Sequence, residues 1–346
     1  MRYSAGLVVL VAALLTVPGQ AASRLPQLEV YWIDVEGGAA TLIVTPARES
    51  ILVDAGNPGG RDAQRIHEVA TRVAGLSQID YLVVTHYHRD HFGGVSELAE
   101  LMPVGALYER GLESAPEKER NDPLLGPFRK ARIRRRVVVK PGDQILLAQS
   151  PGVPLVDFRF LAASQRIAAT EGAPQNAALC GGSADKEQDT SDNANSLVML
   201  LTQGPFRLLD TGDLTWNVEK RLVCPVDEVG KVDVFQASHH GLDQSNNPVL
   251  VRTLEPTVVV VDNGPRKGGQ PGSFATFSST PSVKAVYQLH RNLLAGASNT
   301  APERIANAAE NCSGDYIKLS VEPSARGYTL SVPSTRSRRS YKTKAS

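Results

Sequence analysis

The chain has 346 residues, 42% of them hydrophobic, with 37 basic and 36 acidic side chains for a formal charge of +1. That length buries a full core, as one large domain or two modest ones. Near neutrality excludes a global field that would draw the protein to nucleic acid or anionic membrane, so no tight nucleic-acid binding is expected.

Residues 1–22 read as a cleaved export signal. Arg2 supplies the positive start, residues 7–15 an apolar core, and Gly19 to Ala22 the small residues for cleavage. The apolar core is too short to span a bilayer, and no other stretch is long enough. The mature protein is therefore expected to lack a membrane span and to be periplasmic or secreted. In that oxidising compartment Cys180, Cys224 and Cys312 allow one disulfide, and the sequence does not choose the pair. Their spacing is too wide for a zinc cluster.

The mature chain opens with strand-like segments at 28–35, 40–44 and 50–53, punctuated by glycine turns. Residues 61–74 carry a helical period, with Ile66, Val69, Ala70 and Val73 on one face. A short β-branched strand at 81–85 runs into the loop His86 to Gly94, and 95–101 reads as a helix. Residues 129–140 hold seven basic side chains and no acid in a strand-like pattern, and a solvated face is the simplest reading. Residues 162–194 are rich in Ala, Gly, Ser, Asp and Asn and read as a long loop or insertion. Order returns with strands at 196–201 and 206–209, a helix at 216–222, and strands at 232–237 and 257–261. A Gly/Pro-rich loop at 264–273 leads to a predicted helix at 282–294 and a strand pair at 316–321 and 328–332. The basic tail, 336–346, is expected to be disordered. The whole is a layered α/β sandwich rather than a doubly wound sheet: one hydrolase-sized domain over 28–335, with 266–335 completing it.

The chemistry concentrates in His86-Tyr87-His88-Arg89-Asp90-His91. The chain has seven histidines, and three of them sit here in H-x-H-x-D-H spacing. On an extended strand end His86 and His88 project the same way, while Phe92-Gly93-Gly94 lets the chain turn tightly into a helix. Imidazole and carboxylate converging from one loop suit zinc or a similar divalent ion.

The chain here resembles the metallo-β-lactamase superfamily, over residues of about 28–265. The motifs are Leu52-Val53-Asp54-Ala55-Gly56, then Thr85-His86-Tyr87-His88-Arg89-Asp90-His91, then Leu209-Asp210-Thr211-Gly212-Asp213, and Ser238-His239-His240-Gly241. Details at Asp34-Val35-Glu36-Gly37-Gly38, at Asn193-Ala194-Asn195-Ser196 and at the Ser-His-His-Gly turn are most similar to the metallo-β-lactamase domain of ComEC-type DNA-uptake channels and their stand-alone secreted relatives. The resemblance implies a four-layer αββα sandwich and two Zn2+ sites, with Mn2+ or Fe as alternatives. It implies that His86 and His88 hold the first ion, that Asp90, His91 and His239 hold the second, and that Asp213 bridges. Asp90 and Asp213 are then the catalytic carboxylates, working with a metal-activated hydroxide.

The motif set departs from the family at one point: no histidine lies between His91 and Asp213, where the first ion's third imidazole is expected. Asn193 stands in roughly that place, so the first site is expected to be the weaker. His240 is the alternative to His239, which is favoured because strand alternation sends neighbours to opposite faces. Asp54 and Asp34 read as loop braces. Ser196 has no triad partner, His67 is most simply a surface residue, and His290 a packed helix residue.

These readings point to an exported zinc-dependent hydrolase, foremost of phosphodiesters. A lactonase or β-lactamase-like hydrolase of a small cyclic ester or amide is the alternative. From another class, a non-catalytic binding protein on the same fold is argued against by the intact ligand set.

Overall fold

The computed structural model describes residues 1–3, 25–182 and 184–344. The expected leader lies outside the described residues save for the first three. Among the described residues, eighteen strands form two sheets. The first half supplies β1 (Leu28–Trp32), β2 (Thr41–Val44), β3 (Ser50–Val53), β4 (Ile79–Val84), β5 (Val104–Glu109) and β6 (Ile133–Val138). Next come β7 (Gln144–Ile145), β8 (Val156–Ala163), β9 (Arg166–Ile167), β10 (Val198–Gln203) and β11 (Phe206–Asp210). Then follow β12 (Val234–Gln236), β13 (Val258–Val261), β14 (Ala285–His290) and β15 (Ile305–Asn307). The chain ends in β16 (Ile317–Val321), β17 (Gly327–Val332) and β18 (Ser337–Lys342).

The first sheet runs β18-β17-β16-β1-β2-β3-β4-β5-β6, so the last three strands return to complete the sheet the chain began. The second runs β15-β14-β13-β12-β11-β10-β8-β7, with β9 on β8. In each sheet an antiparallel half gives way to a parallel one, at β3–β4 in the first and at β11–β12 in the second.

Three apolar clusters define the layers. One lies between the sheets and joins Val30, Trp32 and Ile43 to Phe158, Phe160, Val234 and Tyr287. A second packs the outer face of the first sheet on the helices at Arg61–Glu68, Val95–Leu101 and Leu125–Lys130. The third packs the second sheet on Trp216–Val223, Pro248–Leu254 and Phe277 of Pro271–Ser279. The result is the αββα sandwich.

Two expectations are corrected. Residues 282–294 hold strand β14 rather than a helix, paired in parallel with β13 and β15. Five of its six residues are buried, and a strand covered on both faces loses the period-two signature that separates it from a helix. The basic tail is ordered from Ser337 to Lys342 as β18, paired with β17 over six residues. Both basic segments are edge strands, β6 and β18, where exposed arginines discourage another chain from adding to the sheet.

One buried polar contact ties the sheets together beneath the site. Gln236 Oε1 on β12 accepts from Trp32 Nε1 on β1 at 2.7 Å and from Thr41 Oγ1 on β2 at 3.0 Å. Gln236→Leu strands both donors in the core. Each buried group left unsatisfied costs about 1–3 kcal/mol, so urea unfolding of this variant should show a clear loss of stability with an unchanged slope.

Candidate metal centre

The carboxyl ends of the parallel strands converge on one cleft, where open α/β sheets place their ligands. Asp54 follows β3, His86 to His91 follow β4, Asp210 and Asp213 end β11 and its turn, Ser238 to Gly241 follow β12, and Asp262 follows β13. The chain packs tightly here. A Cβ on Gly94 would sit 2.2 Å from Ala55 O, and one on Gly268 would sit 2.2 Å from His240 O.

Asp54 braces the loop. Its carboxylate accepts from Thr85 N at 2.8 Å and Thr85 Oγ1 at 2.7 Å, and it meets His91 Nδ1 at 2.7 Å. Ser196 Oγ accepts from Asp213 N at 3.2 Å and so positions that carboxylate. Asp34 is also a brace, meeting Arg65 at 3.0 Å, His290 Nε2 at 2.9 Å and Cys312 Sγ at 3.3 Å.

Among the described residues, three groups of ligand-type atoms have their members within 4.8 Å of one another. Asp34, His290 and Cys312 form one without Asp213, and two share it, namely His86, His88 and Asp213, and Asp90, His91, Asp213 and His240. Among the described residues, His86 Nε2, His91 Nε2 and His240 Nε2 are buried without a hydrogen-bond partner. Buried polar atoms are ordinarily satisfied, so three unsatisfied imidazole nitrogens around one carboxylate fit a pair of divalent cations. The outer nitrogens are held: His86 Nδ1 by Thr85 Oγ1 at 3.0 Å, His91 Nδ1 by Asp54, and His88 Nε2 by Glu119 Oε1 at 3.3 Å. His240 Nδ1 lies 3.2 Å from Asp262 Oδ2. Such outer partners fix the tautomer and raise ligand basicity.

The group with Asp90 and His91 contains His240, the alternative, and not His239, which was expected there. His240 Nε2 lies 3.4 Å from Asp213 Oδ1 and 3.5 Å from Asp90 Oδ2. Strand alternation does not apply, because β12 ends at Gln236 and both histidines sit in a left-handed turn with φ of 53°. His239 instead points its Nε2 at Asp213 Oδ2, 3.5 Å away, and at the Asn193 amide, 3.2 Å away.

Electrostatics follow from this crowding. Burial opposes the Asp213 charge, but His240, His91 and His239 outweigh it and hold the carboxyl well below its ordinary range. Burial likewise opposes Asp90, and His91, His240 and Lys267 pull it well below. Burial lowers His91, yet Asp213, Asp54 and Asp90 push it up to about 10. His239 is dominated by burial and falls to about 4.

Sequence reasoning missed four contributors: Glu119, Asp262, Ser245 and Lys267. Lys267 Nζ forms an ion pair with Asp90 Oδ2 from the Gly/Pro-rich loop. Only Asp262 had a legible signal, a polar residue at the end of an all-valine strand. Beside the centre, a cavity of about 620 Å³ is lined by His88, Asn193, His239, Trp216, Lys186 and Gln244 among others. The insertion forms its wall, where Trp216 Nε1 donates to Ala184 O and the Asn217 amide pairs with the Lys186 backbone. Cys180 and Cys224 are disulfide-bonded, and Cys312 is a free thiol.

Residues 33–157 match the metallo-β-lactamase superfamily. The chain carries a metallo-β-lactamase domain. It is 25% identical over 251 residues to ComE operon protein 3 of Bacillus subtilis, covering 68% of this chain and 28% of that protein. It is 24% identical over 228 residues to competence protein ComA of Neisseria gonorrhoeae, covering 66% and 26%. The chain thus spans about a quarter of the length of these curated relatives. Among solved structures, the β-hydroxylase CmlA superposes with a TM-score of 0.45 at 17% identity, over 77% of this chain and 53% of that one. No described helix is long and apolar enough to cross a membrane.

Because His91 is held as an imidazolium near neutral pH, a divalent ion has to displace its proton. Binding at the metallo-β-lactamase centre should release at least one proton, and affinity should rise with pH by at least about tenfold per unit below about pH 10, more steeply where the raised His240 also gives up its proton. Calorimetry in buffers of different ionisation enthalpy counts the protons. A pH-independent affinity between pH 6 and 8 would contradict this reading of His91.

Proposed function

We propose that this chain is an exported, zinc-dependent phosphodiesterase. The observation that carries hydrolysis is the Asp213 carboxylate, shared by two groups of buried, ligand-ready side chains. Bound there, a divalent pair supplies Lewis-acid polarisation and an activated water. The chain supplies the rest. Asp54 and Glu119 hold the outer nitrogens of His91 and His88, and Asp262 lies 3.2 Å from that of His240, so that the inner nitrogens are aimed at the cleft. Asp90 reaches His91, His240 and Lys267 at once, and is placed to accept or orient a proton at its Oδ2.

Lys267 favours an anionic substrate over a lactone or β-lactam. Its Nζ stands at the centre's edge, held charged despite burial by Asp90, Asp213 and Asp262. Once Asp90 is engaged elsewhere, that ammonium is available to a phosphodiester's non-bridging oxygen. The likeness to competence proteins supports the same substrate class. The leader-like residues 1–22 support export.

The experiment is a screen of the zinc- and manganese-loaded protein against bis-nitrophenyl phosphate, single-stranded DNA, a lactone and a chromogenic β-lactam. Phosphodiester cleavage is expected, with His88→Ala and Asp213→Ala each abolishing it and lowering metal content. Lys267→Met should raise KM for bis-nitrophenyl phosphate about tenfold, the scale of one charge-assisted hydrogen bond. Faster turnover of the lactone or β-lactam would overturn the substrate class, and full activity in His88→Ala would overturn the site.

A further inference from the structure

The first ligand group is short of a member. His86, His88 and Asp213 supply three donor atoms, whereas the second group supplies four. A catalytic zinc site takes three protein ligands and a water, and the first group reaches three only by counting the Asp213 carboxylate that the second group also uses. The sequence provides no histidine between His91 and Asp213 to complete it. The structure does provide an imidazole that the second group leaves unused.

We infer that His239 completes the first ion's coordination, so that the consecutive pair His239-His240 sends one imidazole to each ion. This rests on the metallohydrolase reading and identifies a ligand within it. The neighbours of His239 set its tautomer. Ser245 Oγ donates its only hydrogen to Leu214 O at 2.7 Å, so towards His239 Nδ1, 3.5 Å away, it is an acceptor. The proton of His239 therefore sits on Nδ1, and Nε2 carries the lone pair. That lone pair accepts from the Asn193 amide at 3.2 Å, consistent with the assignment.

The ring is directed at the shared carboxylate. His239 Nε2 faces Asp213 Oδ2, as do His86 Nε2 at 3.9 Å and His91 Nε2 at 3.2 Å, whereas His240 Nε2 faces Oδ1. The left-handed conformation at both residues produces the split, turning two sequence neighbours towards the two oxygens of one carboxylate. His239 also lines the same cavity as His88 and Asn193. Asn193 is its natural competitor, since its Oδ1 is buried without a partner among the described residues. An amide oxygen is the weaker zinc donor, and the geometry gives Asn193 a different role, in which its Nδ2 occupies the lone pair of His239. His239 stands outside the 4.8 Å triad. Ligation therefore requires it to exchange Asn193 for the ion and close on His86 and His88.

The test is metal stoichiometry and affinity of the full chain titrated with Co2+, read by its visible absorption and by elemental analysis. Wild type is expected to bind two ions. His239→Ala should lose one, as His88→Ala does, and combining the two should lose no more than His88→Ala alone. Combining His239→Ala with Asp90→Ala should lose both. Ser245→Ala, which removes the tautomer control while keeping the ligand, should weaken one ion about 10–100-fold, the range for outer partners of metal-bound histidines. It also tests the inference if His239→Ala fails to fold. Two ions bound at wild-type affinity by both His239→Ala and Ser245→Ala would overturn the inference. So would a loss in His239→Ala that coincides with that of Asp90→Ala. A wild-type chain that binds no ion would overturn the metallohydrolase reading itself, a separate result.

Discussion

The centre depends on one buried carboxylate that is not among its ligands. Asp54 takes a backbone N–H, a hydroxyl and an imidazole nitrogen from the loop after β4. Those three contacts fix the H-x-H-x-D-H segment against β3, and through His91 they fix the orientation of Asp213's neighbours. Charge-assisted hydrogen bonds of this kind are about twice as strong as neutral ones. They hold Asp54 in a left-handed backbone conformation, with φ of 61°. The strain is local and the return is a rigid loop, because every side chain that faces the cleft is positioned from that anchor.

A second constraint is electrostatic. Asp90, Asp213, Asp54 and Asp262 crowd around four imidazoles and one lysine with little solvent to screen them. Such a cluster is costly to bury unless positive charge is supplied. Without an ion the protein supplies it from His91, His240 and Lys267, all held as cations. Divalent ions do the same work with fewer protons. Ion binding, proton release and the freeing of Lys267 would then be one linked event.

The insertion gives the cleft its second wall. Polar contacts and the Cys180–Cys224 disulfide fasten Cys180, Ala184 and Lys186 to the helix Trp216–Val223 and its C-terminal end. The segment is low in apolar residues and could not hold its place by burial. Covalent and hydrogen-bonded attachment substitutes for a core, and it sets Lys186 over the Trp216 ring, 3.4 Å from its centroid, at the cavity edge.

Much of the centre was legible in the sequence, and what was not has physical causes. His86, His88, Asp90 and His91 sit in one short pattern whose spacing brings their side chains together at a strand end, whereas Asp54 and Asp213 were legible only through the family resemblance of their motifs. The choice between His239 and His240 was not local: it turned on two left-handed residues, which alternation cannot anticipate. Strand β14 was hidden because burial on both faces erases periodicity. The order of the tail came from a partner strand, β17, that its composition does not announce. Glu119, Ser245 and Lys267 reach the centre from loops and a short helix distant in the chain, so only folding brings them there. The sequence by itself determined which ligands exist and that their loop sits at the end of a strand, because spacing and strand geometry act over a few residues. Tertiary structure alone decided which histidine faces which oxygen of Asp213, and which charges surround it, because those depend on distances between segments far apart in the chain.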